Sequence, residues 1–156
     1  MHDTTLLEQL AEDIGITGQL LELIDLEFTA LSDRNLVDLE AILTKKQPLL
    51  ALLGQHGAQR SQWLVDQQLS PDLAGLEAAA SRVEQGDSIL EQARLLEAEL
   101  DRCRTANERN GRLIRANQST LGGMLKILQG KDDTPGLYDN RGGAARSNQQ
   151  RPLSQA

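Results

Sequence analysis

The side chains that could carry chemistry in this 156-residue chain are few and scattered. The two histidines, His2 and His56, lie far apart in the sequence, and Cys103 is the single cysteine. No HExxH, CxxC, phosphate-binding glycine loop or nucleophile elbow is present. A catalytic site needs titratable groups that converge on one place. We therefore expect a protein that is not an enzyme and that has no cofactor and no metal site.

Three asparagines form a second polar pattern. Asn107, Asn110 and Asn117 share one helical face with Ile114 and Leu121, because spacings of three, four and seven residues return to the same side of an α-helix. An amide in an apolar helix seam can specify register or partner at some cost in stability. It can also mark a seam that the chain's own helices cover only in part. Both interpretations stay open, with Asn107 and Asn110 as the candidates for setting register.

The elements that must position these residues begin with a long helix near the N-terminus. Apolar or nearly apolar residues recur there at alternating spacings of three and four, with acids on the other faces, which is a heptad pattern. Gly15 and Gly18 interrupt it and predict a softened or bent point. The stripe consists of Leu7, Leu10, Ile14, Thr17, Leu21, Ile24, Phe28 and Leu31.

A second helix is predicted from Asn35, which can cap it, with Asp38 at the third helical position, where a negative charge is favourable. Pro48 lies inside this helix and removes one backbone hydrogen bond, so we expect a kink. The apolar residues of the helix are Leu36, Leu39, Leu43, Leu50 and Leu53.

Ser70 and Pro71 predict a restart, as a cap followed by the first helical residue. Residues 75–86 leave room for a short helix and a hinge. The longest helix follows, with an apolar stripe from Ile89 to Leu128.

The predicted fold is all-α: an elongated antiparallel helical bundle or coiled coil of about three long helices. No segment has the pattern of a strand. After Gly130 the stripe stops and the chain becomes polar and rich in glycine, so residues 131–156 are expected to be disordered in isolation. We divide the chain into a helical domain, 1–130, and a flexible C-terminal tail, 131–156.

Charge and hydropathy limit the classes of partner that we expect for this protein. The net charge is −7, and residues 1–54 alone account for it with ten acidic and three basic side chains. Arginines cluster between Arg102 and Arg115, but the overall charge repels phosphate and no aromatic residues are interleaved, so we expect no nucleic-acid binding. No apolar run approaches the length of a membrane span, and the acidic N-terminus is unlike a secretion signal. We expect a cytoplasmic protein without membrane insertion.

Several segments together resemble the FlgN family of flagellar type III export chaperones. They are "ILTKKQPLLALL" (Ile42 to Leu53), "NGRLI" (Asn110 to Ile114), Asn-Gln at 117–118 and "LYDNRGG" (Leu137 to Gly143). Their order is also that of the family: a long helix, a lysine-containing helix, a hinge, a long helix with the Asn-Gly element, and a tail that contains a tyrosine. The resemblance covers almost the whole chain.

The resemblance implies a cytoplasmic chaperone that binds the amphipathic helical termini of hook-associated proteins, which form the hook–filament junction. It would prevent their premature assembly and deliver them to the gate and ATPase components of the export apparatus. Client binding would fall to the C-terminal region, and gate docking to Leu137 and Tyr138. Apolar anchors at helical spacing are what a helix-in-groove binder needs. The candidate client-binding residues are Asn117, Leu121, Met124, Leu125 and Leu128.

The alternative is a structural coiled-coil or oligomerisation protein without an export client. It explains the heptad patterns equally well but gives the tail no role. The sequence does not determine the oligomeric state, and a homodimer is compatible with it. Capture of isolated helical termini of hook-associated proteins would separate the two hypotheses.

Overall fold

The computed structural model describes residues 1–129, and for residues 120–129 it describes the helical backbone alone. The regular secondary structure of these residues is all α-helix, which confirms the predicted all-α bundle with three long helices. The predicted tail, 131–156, lies outside the described residues, so the domain boundary stays a prediction. The helices are α1 (Asp3–Asp33), α2 (Leu36–Asp66), α3 (Leu73–Ala80) and α4 (Gly86–Gln129).

A tight corner joins α1 to α2. Arg34 takes a left-handed conformation with φ of 54°, and the N–H of Asn35 returns to the carbonyl of Ala30 at 2.9 Å, as at many helix C-termini. Asn35 then caps α2, because its Oδ1 accepts from the N–H of Asp38 at 3.1 Å. The predicted start of the second helix is confirmed.

The start of α3 differs from the prediction. Asp72 is the cap in place of Ser70, and its Oδ1 accepts from the N–H of Gly75 at 3.0 Å. The Ser70 hydroxyl donates to the same oxygen at 2.6 Å. These two hydrogen bonds, the one from Ser70 first, lower the pKa of the Asp72 carboxyl because they favour its charged form. Only glycine fits at position 75, where a Cβ would lie 1.7 Å from the carbonyl oxygen of Ser70.

The helix α1 is the centre of the bundle and packs against both α4 and α2. Its partners run in opposite directions. Gln9 contacts Gln59 while Glu27 contacts Lys46, so α2 is antiparallel to α1. Three hydrogen bonds from α4 to α1, spread along both helices, share a sequence separation of 86 residues, so these two helices are parallel. The intervening α3 reverses the chain and makes this arrangement possible.

Two apolar clusters lie along the bundle. The first is near the start of α1 and brings together residues of all four helices, including Leu6, Leu64, Leu76 and Ile89. The second lies in the middle of the bundle, around Ile16, Leu20, Ile24, Cys103 and Ala106. Burial of aliphatic side chains in these clusters provides the main favourable term in folding.

The predicted interruptions leave the helices continuous. The first helix runs through Gly15 and Gly18, where a Cβ would meet nothing within 4 Å. The second runs through Pro48, which is exposed. Because both features lie within helices held by tertiary packing, their local cost does not end either element.

Candidate functional site

Two layers of buried polar residues lie along the bundle. The first lies between the two apolar clusters, and the second lies beyond the cluster in the middle of the bundle. In the first layer, Asp13 of α1 is completely buried. Its Oδ1 accepts from Nδ1 of His56 at 2.5 Å, and its Oδ2 accepts from the guanidinium of Arg60 at 2.6 Å. Arg60 also donates to Oε1 of Gln9 at 3.0 Å. Both carboxylate oxygens therefore have a donor from α2, which is the condition for burying a charge at tolerable cost.

In the second layer, Glu27 of α1 joins three helices. Its Oε2 accepts from Nζ of Lys46 on α2 at 3.0 Å, and the two side chains are 7% and 2% exposed. Its Oε1 accepts from Nδ2 of Asn110 on α4 at 3.0 Å. Glu27 is thus the point at which α2 and α4 are both held to α1.

These layers correct the predicted stripe of α1. The half of the stripe made by Leu7, Ile14, Leu21 and Phe28 is half-buried. The adjacent line, one residue earlier, is fully buried and includes two acids, contrary to the expectation that acids occupy the other faces. That line is Leu6, Asp13, Leu20 and Glu27.

A signal for the buried acids is present in the sequence. Asp13 and Glu27 continue the seven-residue line of Leu6 and Leu20, and Lys46, His56 and Arg60 follow helical spacing on the next helix. Pairing the two sets requires knowing that α2 folds back against α1. His56, which the sequence presents as an isolated residue, is therefore part of a buried network.

A second pattern connects α4 to α1. Cys103, Asn110 and Asn117 each donate to a backbone carbonyl of α1, at 3.5, 2.8 and 3.3 Å. The acceptors are the carbonyls of Thr17, Ile24 and Leu31, so the seven-residue period is the same on both helices. Such contacts are those expected of a device that sets register, and that role stays a prediction. Asn107, the other register candidate, is half-buried on α4.

Cys103 belongs to this pattern as a buried thiol. Burial raises its pKa, and the nearby Glu99 carboxylate raises it further, because both oppose the negative thiolate. A protonated thiol donates a hydrogen bond but is a poor nucleophile. The surroundings of Cys103 therefore fit a small, buried packing residue.

The far end of the bundle is where α4 extends beyond its partner. The helix α1 ends at Asp33, which corresponds to position 119 of α4 by the constant separation of 86 residues. The helix α4 ends at Gln129. Its last turns therefore project past the end of α1 by about 15 Å, at about 1.5 Å per residue.

An apolar cavity lies beside the base of this projection. Its volume is about 290 Å³, and it is formed where the end of α1, the start of α2 and Asn117 of α4 meet. Leu36 and Val37, at the start of α2, are 75% and 78% exposed, a high fraction for aliphatic residues so close together. The cavity is lined by Ala30, Leu31, Arg34, Asn35, Leu36, Leu39 and Asn117.

The predicted site residues are only partly covered by the described structure. Asn117 lies at the base of the projection, where it donates a hydrogen bond to the carbonyl of Leu31 on α1 and lines the cavity. Leu121, Met124, Leu125 and Leu128 lie on the projecting part of α4, where the structure describes the backbone only. Leu137 and Tyr138 lie outside the described residues. The sequence did not point to the corner residues Leu36 and Leu39 as part of a cavity, although both were predicted to lie on the apolar side of α2.

Among the described side chains, no group of three or more histidine, cysteine, aspartate or glutamate residues is arranged to hold a metal ion. Within the same residues, no helix combines the length and the apolar character needed to cross a membrane. An apolar cavity next to a projecting helix suits a hydrophobic protein segment.

Comparison with known proteins identifies relatives of this architecture. No protein of curated function matches the chain. A similar crystal structure, from Pseudomonas aeruginosa, is described as that of a candidate flagella synthesis protein FlgN. It is 41% identical, has a TM-score of 0.68, and the match covers 82% of this chain and 98% of that one. The family model for FlgN protein matches residues 1–146. The resemblance inferred from the sequence is confirmed, and this chain belongs to the FlgN family.

Proposed function

We propose that this protein acts in flagellum assembly as a cytoplasmic export chaperone. It binds the amphipathic C-terminal helices of hook-associated proteins, prevents their premature assembly and delivers them to the type III export apparatus. Membership of the FlgN family and the similarity to a flagella synthesis protein support the role in flagellum assembly. The choice of client and the manner of binding are argued from the far end of the bundle.

The observation that carries the proposal is the projection of α4 past the end of α1. The sequence of the projection places Leu121, Met124, Leu125 and Leu128 at spacings of three and four, which is the pattern of a helix that binds another helix. The register of α1 and α4 leaves no part of α1 opposite these positions. A client helix could therefore bind beside the projecting part of α4, in the position that α1 occupies along the rest of that helix.

The cavity extends this surface toward α2. Leu36 and Leu39 form one of its walls, and Asn117 forms another. An apolar side chain of the client inserted there would be removed from water, with a gain of about 25 cal/mol for each Å² of buried apolar surface. The corner and the projection would thus bind the same client helix from two sides.

Binding of isolated peptides tests this proposal. Peptides of the C-terminal helices of hook-associated proteins are titrated into the full-length protein by calorimetry. We expect Leu121→Asp with Leu128→Asp to weaken binding more than tenfold, because a buried, unpaired carboxylate costs several kcal/mol and about 1.4 kcal/mol is already tenfold. A matched control is Leu95→Asp, on the same helix at a side chain that is 44% exposed.

Three outcomes are informative. Loss of binding in the double variant, with normal helicity by circular dichroism and normal binding by the control, supports the proposal. Normal binding in the double variant places the client surface elsewhere. No binding of any such peptide to the unsubstituted protein favours the alternative, a structural coiled-coil protein without an export client.

The proposal assigns delivery to the tail. Leu137 and Tyr138 would bind the export gate, since an adjacent Leu-Tyr pair in a polar segment can act as a short docking element. This assignment rests on the family resemblance and on composition. It is tested by secretion of the client in cells.

A further inference from the structure

The apolar cavity at the corner of α1 and α2 has features that suit one particular ligand. Its walls are largely aliphatic, from Ala30, Leu31, Leu36 and Leu39, and the residues that line it also include Asn35 and Asn117, which carry amide side chains. An apolar cavity of about 150 Å³ is known to admit benzene, so a volume of about 290 Å³ is sufficient for an aromatic ring. A ring with one polar group could bury its carbons and keep a hydrogen bond to an amide.

The chain itself contains a ring with one polar group in the segment that follows α4. Tyr138 is its single tyrosine, and it follows Leu137 directly. Leu153 is the one other large apolar residue in the segment 131–156. A ligand for the cavity from this segment would therefore be the pair at 137–138.

The distances permit this pairing within one chain. From Asn117, which lines the cavity, α4 continues to Gln129, a path of about 18 Å at about 1.5 Å per residue. Residues 130–137 then connect the helix end to Tyr138. Eight extended residues span at most about 26–29 Å, which exceeds the distance they must return. The tether also gives the ring an effective concentration in the millimolar range, so that a weak site suffices.

We propose that the corner cavity is a binding site for the chain's own Leu137–Tyr138 segment. The tyrosine ring enters between the end of α1 and the start of α2, and its hydroxyl meets the amide side chains that line the cavity. The site explains why Leu36 is left 75% exposed next to a cavity: the segment covers it when bound. The docking role in the proposed function requires Tyr138 to leave this site, but the site itself does not depend on that role.

The single tyrosine allows a direct test on the full-length protein. Fluorotyrosine is incorporated biosynthetically, and the ¹⁹F spectrum is recorded for the protein alone, without any client or gate component. We expect a major signal that is shifted and broadened relative to the urea-unfolded chain. Leu36→Asp should lower the ratio of bound to unbound signal at least tenfold, because the substitution places a carboxylate in the wall of the cavity. Leu26→Asp is the matched control, at a side chain of α1 that is 56% exposed and does not line the cavity, and it should leave the ratio unchanged.

Three results would overturn the inference. One is a spectrum of the native protein that equals that of the unfolded chain. Another is a bound signal that persists in Leu36→Asp, which would place the ring elsewhere. The third is a bound fraction that rises with protein concentration, which would mean that the cavity accepts the segment of a second copy. All of these measurements are made without a client. The inference about the cavity can therefore be refuted while client binding is supported, and client binding can be refuted while the inference about the cavity is supported.

Discussion

Replacing Lys46 by methionine tests whether the layer of Glu27, Lys46 and Asn110 holds α2 on α1. Methionine has a similar volume and leaves no large cavity, so the change removes the charge and little else. Glu27, 5% exposed, would keep one donor, Nδ2 of Asn110 at 3.0 Å, and lose its counter-ion. Removing one partner of a buried ion pair costs about 3–5 kcal/mol. That is a large part of a total stability of about 5–15 kcal/mol.

The double variant decides whether the cost comes from the unpaired charge. With Glu27→Leu added, neither charge remains, and a buried ion pair replaced by apolar residues is often neutral or stabilising by about 1–4 kcal/mol. Asn110 loses one acceptor but still donates to the carbonyl of Ile24 at 2.8 Å, a loss of about 1 kcal/mol. We therefore expect the double variant to recover most of the stability that Lys46→Met loses.

Urea unfolding followed by circular dichroism measures both changes. Arg94→Met is the reference for an exposed pair, because Arg94 and Glu77 lie 3.3 Å apart at 62% and 46% exposure, and such pairs contribute about 0–1 kcal/mol. The reasoning is refuted if Lys46→Met costs no more than Arg94→Met. It is also refuted if the double variant is as unstable as the single one, since the cost would then lie in packing.

Three further predictions concern other parts of the chain. Gly86→Ala should destabilise the protein by about 1–3 kcal/mol, because a Cβ there would lie 2.0 Å from a backbone carbonyl oxygen. Gly54→Ala, where a Cβ would meet nothing within 4 Å, should stabilise it by about 0.5–1 kcal/mol. Thermal unfolding distinguishes the two variants. The pKa of Asp72 is lowered in the folded state, so Asp72 contributes stability above its unfolded pKa, and this stability is lost as the pH falls through its folded pKa. Asp72→Asn should therefore make the stability depend less on pH in the acidic range. An unchanged pH dependence in that range would contradict the capping role. Tyr138→Ala should leave helicity unchanged but reduce secretion of the client in cells, and normal secretion would remove the docking role.

His56→Ala tests the first buried layer. In the sequence His56 is an isolated histidine with no evident partner. The structure places His56 Nδ1 at 2.5 Å from Oδ1 of the completely buried Asp13. The alanine variant would leave that oxygen without its donor, and an unsatisfied buried group costs about 1–3 kcal/mol or more when charged.

The asparagines of α4 differ in what their replacement by leucine would cost. In a purely apolar seam, leucine in place of an asparagine would stabilise the bundle. Asn110 is instead bonded both to a backbone carbonyl and to Glu27, so leucine would remove a donor from a buried carboxylate. Its replacement should destabilise the bundle. Asn117 is half-buried at the end of α1, where water can replace it, so its replacement should cost less.

The sequence by itself determined the helices. The Asn35 cap and the stripe of α4 from Ile89 to Asn117 are local features, and both are found as predicted. The heptad spacing of α1 predicted a long helix correctly but not all of its buried face. The family was also determined from the sequence, through segments whose order is characteristic. The client-binding and gate-docking residues were predicted as well, but they stay predictions, since they lie on the projection of α4 or beyond the described residues.

Tertiary structure alone decided which face of α1 is buried and in which direction its neighbours run. A local pattern counts Asp13 and Glu27 as surface residues, because an isolated charge is costly to bury. That cost is offset by His56, Arg60, Lys46 and Asn110, which lie 19 to 83 residues away in the chain. The parallel register of α4, and with it the projection and the corner cavity, likewise depends on how α2 and α3 return the chain. Both results arise from contacts between distant segments, and no spacing within one helix encodes them.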